Sequence, residues 1–353
     1  MNRKRLRDLG ITIGKFPTGK FNALTDVAGV RVGQTTLIYD KPRIARTGVT
    51  VILPRDGDIW RDHCFAGTHR FNGNGEMTGV AWIQESGLLT TPIAITNTHQ
   101  VGLVRDVLVE YGRAQADALP WLLPVVAETY DGILNDIDAF HLKREHVLAA
   151  IENARAGVVA EGNVGGGTGM RCHGFKGGIG TSSRVVSHNA QAFTVAALVQ
   201  ANYGKTEFLR VDGVPVGREL LAQRAAALNR EQGSIIIIVA TDAPLIPTQC
   251  ERLAQRATIG LANVGGHGHN SSGDLFLAFA TGNHIPHAAR DLIALQMLPH
   301  NLLDDLFDAT IEAVEESILN ALTMAETMRG FQGTCEALPL DAVIEIMKKY
   351  QRL

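Results

Sequence analysis

Short apolar runs bounded by Gly or Pro alternate with longer amphipathic segments along the whole sequence. The runs have the length and composition of buried strands, and the segments have the period of helices. We predict strands over Val49–Leu53, Ile93–Thr96, Phe193–Gln200, Ser234–Thr241 and Leu275–Ala280. We predict helices over Val104–Ala118, Arg144–Ala156, Arg218–Asn229, Pro247–Gly260 and Leu302–Met328. This alternation predicts a layered α/β or α+β domain in which helices cover a central sheet.

Charge and cysteine content exclude several classes of protein. The 33 basic and 36 acidic side chains leave a formal charge of −3, which provides no attraction to nucleic acid or an anionic membrane. The four cysteines are far apart and form no CxxC pair, so we do not expect a disulfide framework. We expect the protein to work in a reducing compartment. The basic residues 1–7 are not followed by an apolar signal region, and no run of 18 apolar residues exists. We therefore expect a cytoplasmic protein with no nucleic-acid or membrane partner.

Two polar stretches resemble ligand sites without completing a known motif. The Gly-rich stretch Glu161–Met170 lacks the Gly-Lys-Ser/Thr ending of a phosphate-binding loop. It predicts a crossover where backbones pack closely, with a substrate cleft as the alternative. His267 and His269 have a spacing that suits zinc, but no HExxH or paired CxxC accompanies them and Asp274 is the only nearby carboxylate. We therefore predict neither a metal nor another cofactor.

Ser234 begins the most β-prone run of the chain, Ile-Ile-Ile-Ile-Val-Ala-Thr, directly after Gly233. One interpretation is ordinary polarity at the start of a strand. The other is a nucleophile at a new N-terminus, formed when the chain cleaves itself before the serine. The freed α-amine, with a reference pKa of about 7.7–8.0, can then act as the base for its own hydroxyl. Gly233 would supply the unhindered carbonyl that the cleavage needs.

Two acid–hydroxyl pairs have a spacing of two residues. In an extended segment, Ser272 and Asp274 share one face, as do Glu128 and Tyr130. Each pair can be a hydrogen-bonded cluster at a strand end. An acid beside a phenol can also bind an amine and polarise a carbonyl. The residues alone leave both interpretations open.

Four longer motifs occur in order along the chain: Thr25–Gly33, Gly162–Met170, Leu198–Gly204 and Ala240–Leu245. With them the sequence resembles the L-aminopeptidase D-amidase/esterase family, which includes the β-peptidyl aminopeptidases. The resemblance extends from about residue 20 to Leu340. It implies an αββα sandwich similar to that of the N-terminal-nucleophile hydrolases and the ornithine acetyltransferase group. It also implies one hydrolase domain, 1–353, cleaved into an α chain 1–233 and a β chain 234–353, with a homo-oligomer, most simply a tetramer, of αβ units.

The resemblance also implies roles for single residues. Ser234 matches the nucleophile, released by cleavage between Gly233 and Ser234, and Ser272 matches a second active-site serine. Asn202 matches the asparagine of the oxyanion hole. Asp274 stands where the family has a glutamate, so its carboxylate is one methylene shorter.

On the substrate side, Glu128 matches the acid that holds the substrate ammonium, and Tyr130 matches its neighbouring phenol. Ser271 is an alternative cleavage point, but it would leave Ser234 without a role, so we retain Ser234. On the last long helix, Phe307, Ile311, Val314 and Ile318 form the expected buried stripe, and Glu312, Glu315 and Glu316 are predicted to be a solvated surface.

These expectations combine into one function. We predict a serine aminopeptidase or amidase that releases N-terminal residues from small peptides, amides or esters with a free N-terminus. One alternative is an acyl or aminoacyl transferase on the same fold. Another is an uncleaved, inactive binding protein, which a denaturing gel would separate from both enzymes.

Overall fold

The computed structural model describes residues 2–115, 119–189, 191–223 and 233–353. The strands are β1 (Arg31–Tyr39), β2 (Ala45–Leu53), β3 (Asp62–Gly73), β4 (Leu88–Leu89), β5 (Ile93–Asn97), β6 (Val125–Thr129), β7 (Arg171–Cys172), β8 (Phe175–Lys176), β9 (Gly178–His188), β10 (Gln191–Asn202), β11 (Ser234–Thr241), β12 (Gly273–Pro286), β13 (Met328–Gly330) and β14 (Gly333–Cys335). The helices are α1 (Val80–Ser86), α2 (Val101–Arg113), α3 (Arg144–Glu152), α4 (Val216–Gln223), α5 (Pro247–Asn263), α6 (Leu303–Met324) and α7 (Leu340–Lys349).

Two sheets carry the fold. The first has the order β1-β2-β5-β6, and its β5–β6 pair is parallel. The second has the order β4-β3-β12-β11-β10-β9, in which β11 and β12 are parallel and the other neighbours are antiparallel. Two short hairpins, β7–β8 and β13–β14, complete the pairing. The parallel pairs place the start of β11 and the start of β12 side by side.

The apolar side chains of β11 show how the layers are stacked. Ile235, Ile237 and Val239 point into the core that the six-stranded sheet shares with α5 and α6. Ile236 and Ile238 point into a second core, shared with residues of β2, β5 and β6 in the other sheet. A third core lies between the four-stranded sheet and helices α2 and α3. The order helix, sheet, sheet, helix confirms the αββα sandwich, and the single central sheet expected from periodicity is wrong because the chain forms two.

The predicted strands are all present, each within a longer observed strand or matching it. Helix bounds differ more. The first predicted helix begins earlier, at Val101, and its predicted residues 116–118 lie outside the described residues, as do residues 224–229 of the third. The helix predicted to continue to Met328 ends at Met324, because Met328 begins β13. Sequence analysis does not predict β1, β3 and β9, because polar residues interrupt their apolar pattern, nor does it predict β6 and the short strands β4, β7, β8, β13 and β14.

The expected solvated surface on α6 is wrong: Glu312, Glu315 and Glu316 are buried. The fully buried Arg184 of β9 contacts two of them, with Nε 2.9 Å from Glu312 Oε2 and Nη2 2.7 Å from Glu316 Oε2. Arg7 adds a second cation at Glu316 Oε1, 3.0 Å away. The N-terminal segment, through Arg7, Lys15 and Phe16, covers the polar face of α6. The helical period of α6 is therefore correct, but the inference that its polar face is exposed to solvent is wrong. Among the described residues, no helix is both long and apolar enough to cross a membrane.

Candidate active site

Ser234 is the first residue of β11 and lies between two neighbouring strands of the six-stranded sheet. Across one side it is paired in register with Asn202, the last residue of β10. On the other side, the backbone N–H of Gly273 donates to Ser234 Oγ at 3.0 Å. The hydroxyl is thus held at the end of a buried strand, where one backbone donor already points at it.

Gly233 occupies a position that only glycine can fill. Its φ is +154°, and an added Cβ would lie 1.7 Å from the carbonyl oxygen of Asn202. The same hypothetical atom would lie 3.2 Å from Asn202 Nδ2. The absence of a side chain therefore lets the 233–234 peptide pass directly beside the Asn202 amide.

A cavity of about 590 Å³ opens in front of Ser234. Its wall combines residues of both sheets and of the loop after β3: Gly73, Asn74, Gly75, Glu76, Thr98, Glu128, Tyr130, Gly233, Ser234 and Ser271. Ser234 comes from the six-stranded sheet, whereas Glu128 is the penultimate residue of β6 in the other sheet. The structure thus brings the predicted nucleophile, the predicted ammonium-binding acid and Tyr130 to one cavity.

Glu128 is a buried carboxylate with hydrogen-bond donors but no cationic partner among the described residues. Oε1 accepts from the backbone N–H of Glu76 at 3.0 Å, and Oε2 accepts from the Thr98 hydroxyl. Burial raises the pKa of Glu128, and these two hydrogen bonds oppose the rise. A ligand cation that enters the cavity would supply the positive charge that compensates the buried Glu128 carboxylate.

Ser272 and Asp274 contact each other directly. Ser272 Oγ donates to Asp274 Oδ1 at 2.6 Å, and both side chains are buried. Asp274 is also paired with Ile235 across the parallel β11–β12 ladder. The shorter carboxylate therefore still reaches Ser272, although Ser271 and not Ser272 lines the cavity.

The side-chain amide of Asn202 is fixed by two backbone partners. Nδ2 donates to the Tyr130 carbonyl at 3.0 Å, and Oδ1 accepts from the Arg171 N–H at 2.8 Å. These bonds orient the amide with its nitrogen toward the 233–234 peptide. An Nδ2 carries two hydrogens, so a second donor remains for an oxygen that develops there.

Comparison with known proteins gives the chain a family. The sequence profile described as peptidase family S58 matches residues 22–336. The chain is 46% identical to the β-peptidyl aminopeptidase BapA of Sphingosinicella microcystinivorans, covering 99% of this chain and 93% of that protein. Among solved structures, a Burkholderia β-aminopeptidase matches with a TM-score of 0.92 and 51% identity over 98% of this chain and 99% of that one. The L-aminopeptidase D-Ala-esterase/amidase of Ochrobactrum anthropi matches with a TM-score of 0.91 and 42% identity over 99% of each chain.

The chain belongs to peptidase family S58. This confirms the family resemblance drawn from the sequence motifs, and with it the prediction of a hydrolase of the aminopeptidase type. The Ochrobactrum structure is described as a variant of the N-terminal-nucleophile hydrolase fold, in agreement with the αββα layers found here.

In this S58 chain, the two polar stretches that lacked a complete motif have structural roles. Gly166 packs so closely that an added Cβ would lie 2.2 Å from Gln200 Oε1 and 2.6 Å from the Ile95 carbonyl. The Gly-rich stretch is therefore a crossover between the sheets, as expected. His267 packs against Phe208 in a tilted arrangement, with ring centroids 4.2 Å apart. No group of three or more potential metal ligands converges in the part of the chain that the structure describes.

Sequence reasoning missed the loop from Gly73 to Glu76, Thr98 and the buried Asp131. The repeated Asn-Gly of residues 72–75 is a turn signal that could have located the loop at a strand end. Asp131 follows Tyr130 directly and accepts from Asn135 Nδ2 at 3.1 Å. Burial raises the pKa of Asp131 to about 7, against hydrogen bonds from Thr47, Asn135 and Asn97.

Proposed function

We propose that this S58 protein cleaves itself between Gly233 and Ser234 and then acts as a serine aminopeptidase through an acyl-enzyme on Ser234. The observation that carries the proposal is that the Ser234 hydroxyl and the Glu128 carboxylate line one cavity. The first supplies a nucleophile and the second a site for a free N-terminal ammonium. Small peptides, amino-acid amides and esters are the substrates that fit this pair.

The acylation step uses the Ser234 hydroxyl, the Ser234 α-amine and the Asn202 side-chain amide. After cleavage, the α-amine of Ser234 takes the proton from its own hydroxyl as the oxygen attacks the substrate carbonyl. The Asn202 amide, held by the Tyr130 and Arg171 backbones, donates to the oxyanion. Such a donor is worth about 3–4 kcal/mol in other hydrolases. The α-amine then passes the proton to the leaving nitrogen or oxygen as the scissile bond breaks, which leaves the acyl group as an ester on Ser234. Water then hydrolyses the ester and frees Ser234.

Substrate recognition rests on Glu128 with Tyr130 beside it. An ammonium bound at Glu128 fixes the distance between the substrate N-terminus and the scissile bond, which gives exopeptidase action. The names of the relatives at 46% and 51% identity support β-amino acids among the accepted N-terminal residues. Peptides with a free N-terminus are therefore the substrates to test first.

Ser272 and Asp274 act behind the nucleophile in this proposal. Their 2.6 Å hydrogen bond places a carboxylate charge beside the start of β11, where the freed α-amine forms. A negative charge at that position favours the protonated amine and orients it. Their role is to position the amine and to assist its proton transfer.

The whole chain is proposed to form one hydrolase domain of two processed chains, α 1–233 and β 234–353. These αβ units are proposed to assemble as a homo-oligomer, most simply a tetramer, in the cytoplasm. A surface segment over residues 287–298 supports assembly because it exposes several large apolar side chains. Such exposed apolar patches mark interaction sites.

Substitution of the nucleophile tests the proposal. Ser234→Ala removes the hydroxyl that attacks the Gly233 carbonyl, so we expect it to block both processing and hydrolysis. A denaturing gel should show one 38.0 kDa band for Ser234→Ala and two bands for the wild type. Ser187→Ala, at an exposed serine, is the control and should process normally.

Two results would contradict the proposal. Processing of Ser234→Ala into chains 1–233 and 234–353 would exclude Ser234 as the cleaving residue. A wild type that stays as one 38.0 kDa band without hydrolysis would instead favour the inactive binding protein.

A further inference from the structure

Residues 73–76, the cross-sheet loop, pass from one sheet to the other beside the active-site cavity. The loop begins at the end of β3, in register with Gly273 of β12 in the six-stranded sheet. Directly after the loop, Met77 forms an antiparallel bridge with Ala127 of β6 in the four-stranded sheet. All four loop residues line the cavity. The loop therefore connects the two sheets at the site itself.

One side of the cross-sheet loop holds the segment that contacts the nucleophile. The Asn74 N–H donates to the Ser272 carbonyl at 3.3 Å, and Asn74 Nδ2 donates to the Ser271 carbonyl at 2.8 Å. An added Cβ at Gly273 would lie 2.4 Å from the Asn74 carbonyl oxygen, so the two backbones are in close contact. The Gly273 N–H in turn donates to Ser234 Oγ at 3.0 Å. The loop thus supports the donor that holds the Ser234 hydroxyl.

The other side of the cross-sheet loop holds the acid at the opposite wall of the cavity. The backbone N–H of Glu76 donates to Glu128 Oε1 at 3.0 Å. The chain then continues along β6, where the Thr78 N–H donates to the Val126 carbonyl at 2.9 Å. Because a single residue separates Asn74 from Glu76, one short loop contacts both the support of the nucleophile and the acid.

Gly75 is that single residue, and it lies against both sides. An added Cβ at Gly75 would lie 3.2 Å from Glu128 Oε1 and 3.2 Å from Gly273 Cα. Both distances are shorter than ordinary van der Waals contact, so these neighbours would have to move by a few tenths of an ångström. The φ of Gly75 lies outside the left-handed region, so its backbone accepts alanine. A methyl group at position 75 would therefore move the acid and the Gly273 backbone apart.

We propose that the cross-sheet loop sets the separation between the Glu128 carboxylate and the Ser234 hydroxyl, and thereby selects how many atoms separate the amine from the scissile carbonyl of a substrate. The inference rests on the proposed function, because it takes the ammonium to bind at Glu128 and the acyl group at Ser234. Gly75 is the specificity-determining residue, and Asn74 is a positioning residue.

The lengths involved make this selection measurable. One added methylene lengthens a substrate by at most one C–C bond, about 1.5 Å. A misplacement of about 1 Å in a bound substrate costs about 100-fold in rate. A change of a few tenths of an ångström in the separation should therefore alter the preference for substrate length several-fold.

The experiment compares three substrates that differ only in the length of the N-terminal residue. Glycine, β-alanine and 4-aminobutanoic acid, with one, two and three methylenes, are each joined to the same alanine amide. The kcat and KM are measured per processed chain, counted on a denaturing gel. We expect the wild type to prefer one length. Gly75→Ala should raise kcat/KM for each longer substrate about 3- to 10-fold relative to the next shorter one.

Asn74→Ala tests the contact on the nucleophile side. It removes the donor to the Ser271 carbonyl but keeps the Glu76 N–H that holds Glu128. Because Gly273 is then held less firmly, we expect kcat for the preferred length to fall about tenfold with little change in KM. The preference among the three lengths should flatten. A role in folding alone would lower the thermal midpoint and leave the preference unchanged.

Two matched controls carry the same substitutions elsewhere. Gly102→Ala, on α2, places its methyl group in open space within the described part of the chain. Asn153→Ala changes an exposed asparagine at the end of α3. Both variants should keep the length preference of the wild type.

The outcomes separate this inference from the proposed function. If the wild type hydrolyses none of the three substrates, the proposed function itself fails. If it hydrolyses all three with the same kcat/KM, or if Gly75→Ala keeps the wild-type preference or favours shorter substrates, the inference is wrong. If Gly75→Ala is not processed, Asn74→Ala decides, and an unchanged length preference in that variant contradicts the inference.

Discussion

At the scale of single residues, Glu128 is in an environment that a bound ammonium would complete. Its oxygens accept from the Glu76 N–H and the Thr98 hydroxyl, and burial raises its pKa. Glu128→Gln keeps the shape and removes the charge. We expect a loss of about 2–4 kcal/mol of transition-state binding, roughly 30- to 1000-fold in kcat/KM, with self-cleavage intact.

Steady-state kinetics and a denaturing gel measure the two effects separately. Glu76→Gln is the control: it changes another carboxylate of the same cavity but keeps the backbone N–H that holds Glu128. Because Glu76 is exposed, we expect only a small effect on kcat/KM. Equal turnover of free and N-acetylated substrates by the wild type would show that Glu128 binds no ammonium.

Asp131, next to Tyr130, is expected to make folding stability depend on pH. Its folded pKa is raised to about 7 by burial, above an unfolded value of about 3.9. The protonated carboxyl is therefore favoured in the folded state. Its stabilising contribution is complete below about pH 4 and is lost, at about 1.4 kcal/mol per pH unit, as the pH rises toward 7.

Thermal unfolding of the wild type and Asp131→Asn between pH 4 and 8 measures this contribution. The wild type should lose stability relative to the variant as the pH rises, and the difference should level off above about pH 7. Asp138→Asn, at an exposed aspartate, is the control and should run parallel to the wild type. Parallel curves for Asp131→Asn would mean that Asp131 ionises in the folded state as it does in the unfolded chain.

Motifs of consecutive residues are the features of the site that the sequence shows most directly. The family resemblance predicts roles for Ser234 and Glu128 that their local sequence alone leaves open, and the structure brings both side chains to one cavity. The contacts that complete the site could not be predicted from the sequence. The Glu76 and Thr98 donors to Glu128 lie 52 and 30 residues away in sequence. Glu76 meets Glu128 because the two sheets stack, and Thr98 meets it because β5 and β6 are neighbours in one sheet.

At the scale of elements, burial explains which strands could be predicted. The residues of β11 are buried on both faces, so the strand is a continuous apolar run. In β9, Thr181, Ser182 and Arg184 are also buried, but their polar groups are satisfied inside the protein. Thr181 Oγ1 donates to the Ala197 carbonyl at 2.7 Å, and Ser182 Oγ donates to the Ala313 carbonyl at 2.7 Å. Pattern reading cannot distinguish such polar interior strands from loops.

The contact between β9 and α6 predicts a large cost for removing one charge. Arg184→Met leaves Glu312 and Glu316 buried with only part of their compensating charge. Breaking a buried ion pair from one side costs about 3–5 kcal/mol. We therefore expect a marked fall in the thermal midpoint.

Arg144→Met is the matched control, because Arg144 pairs with Glu110 on the surface. Solvent screens that pair, so its loss should shift the thermal midpoint little. Similar shifts in both variants would contradict the role given to burial. Recovery of stability in Arg184→Met combined with Glu316→Leu would support it.

At the scale of the whole molecule, the sandwich leaves several apolar side chains between residues 287 and 297 outside its cores. Residues 287–298 form neither helix nor strand, and Leu292 is fully exposed. Leu295 and Met297 are 47% and 48% exposed. The end of the segment is held to the body, since Gln296 N–H donates to Asn283 Oδ1 at 2.9 Å and Leu298 N–H to the Pro244 carbonyl at 3.0 Å. An anchored segment with exposed apolar side chains has the properties of an assembly contact.

Charged residues in this segment should therefore weaken the proposed oligomer. Burying one leucine side chain contributes about 1.5–3 kcal/mol, so Leu292→Asp with Leu295→Asp should shift the assembly toward single αβ units. Sedimentation velocity would measure the change as a fall in mass toward 38.0 kDa. Val158→Asp, at another highly exposed apolar residue, is the control and should keep the wild-type mass. An unchanged mass in the double variant, or a wild type that already sediments as one unit, would assign the segment no role in assembly.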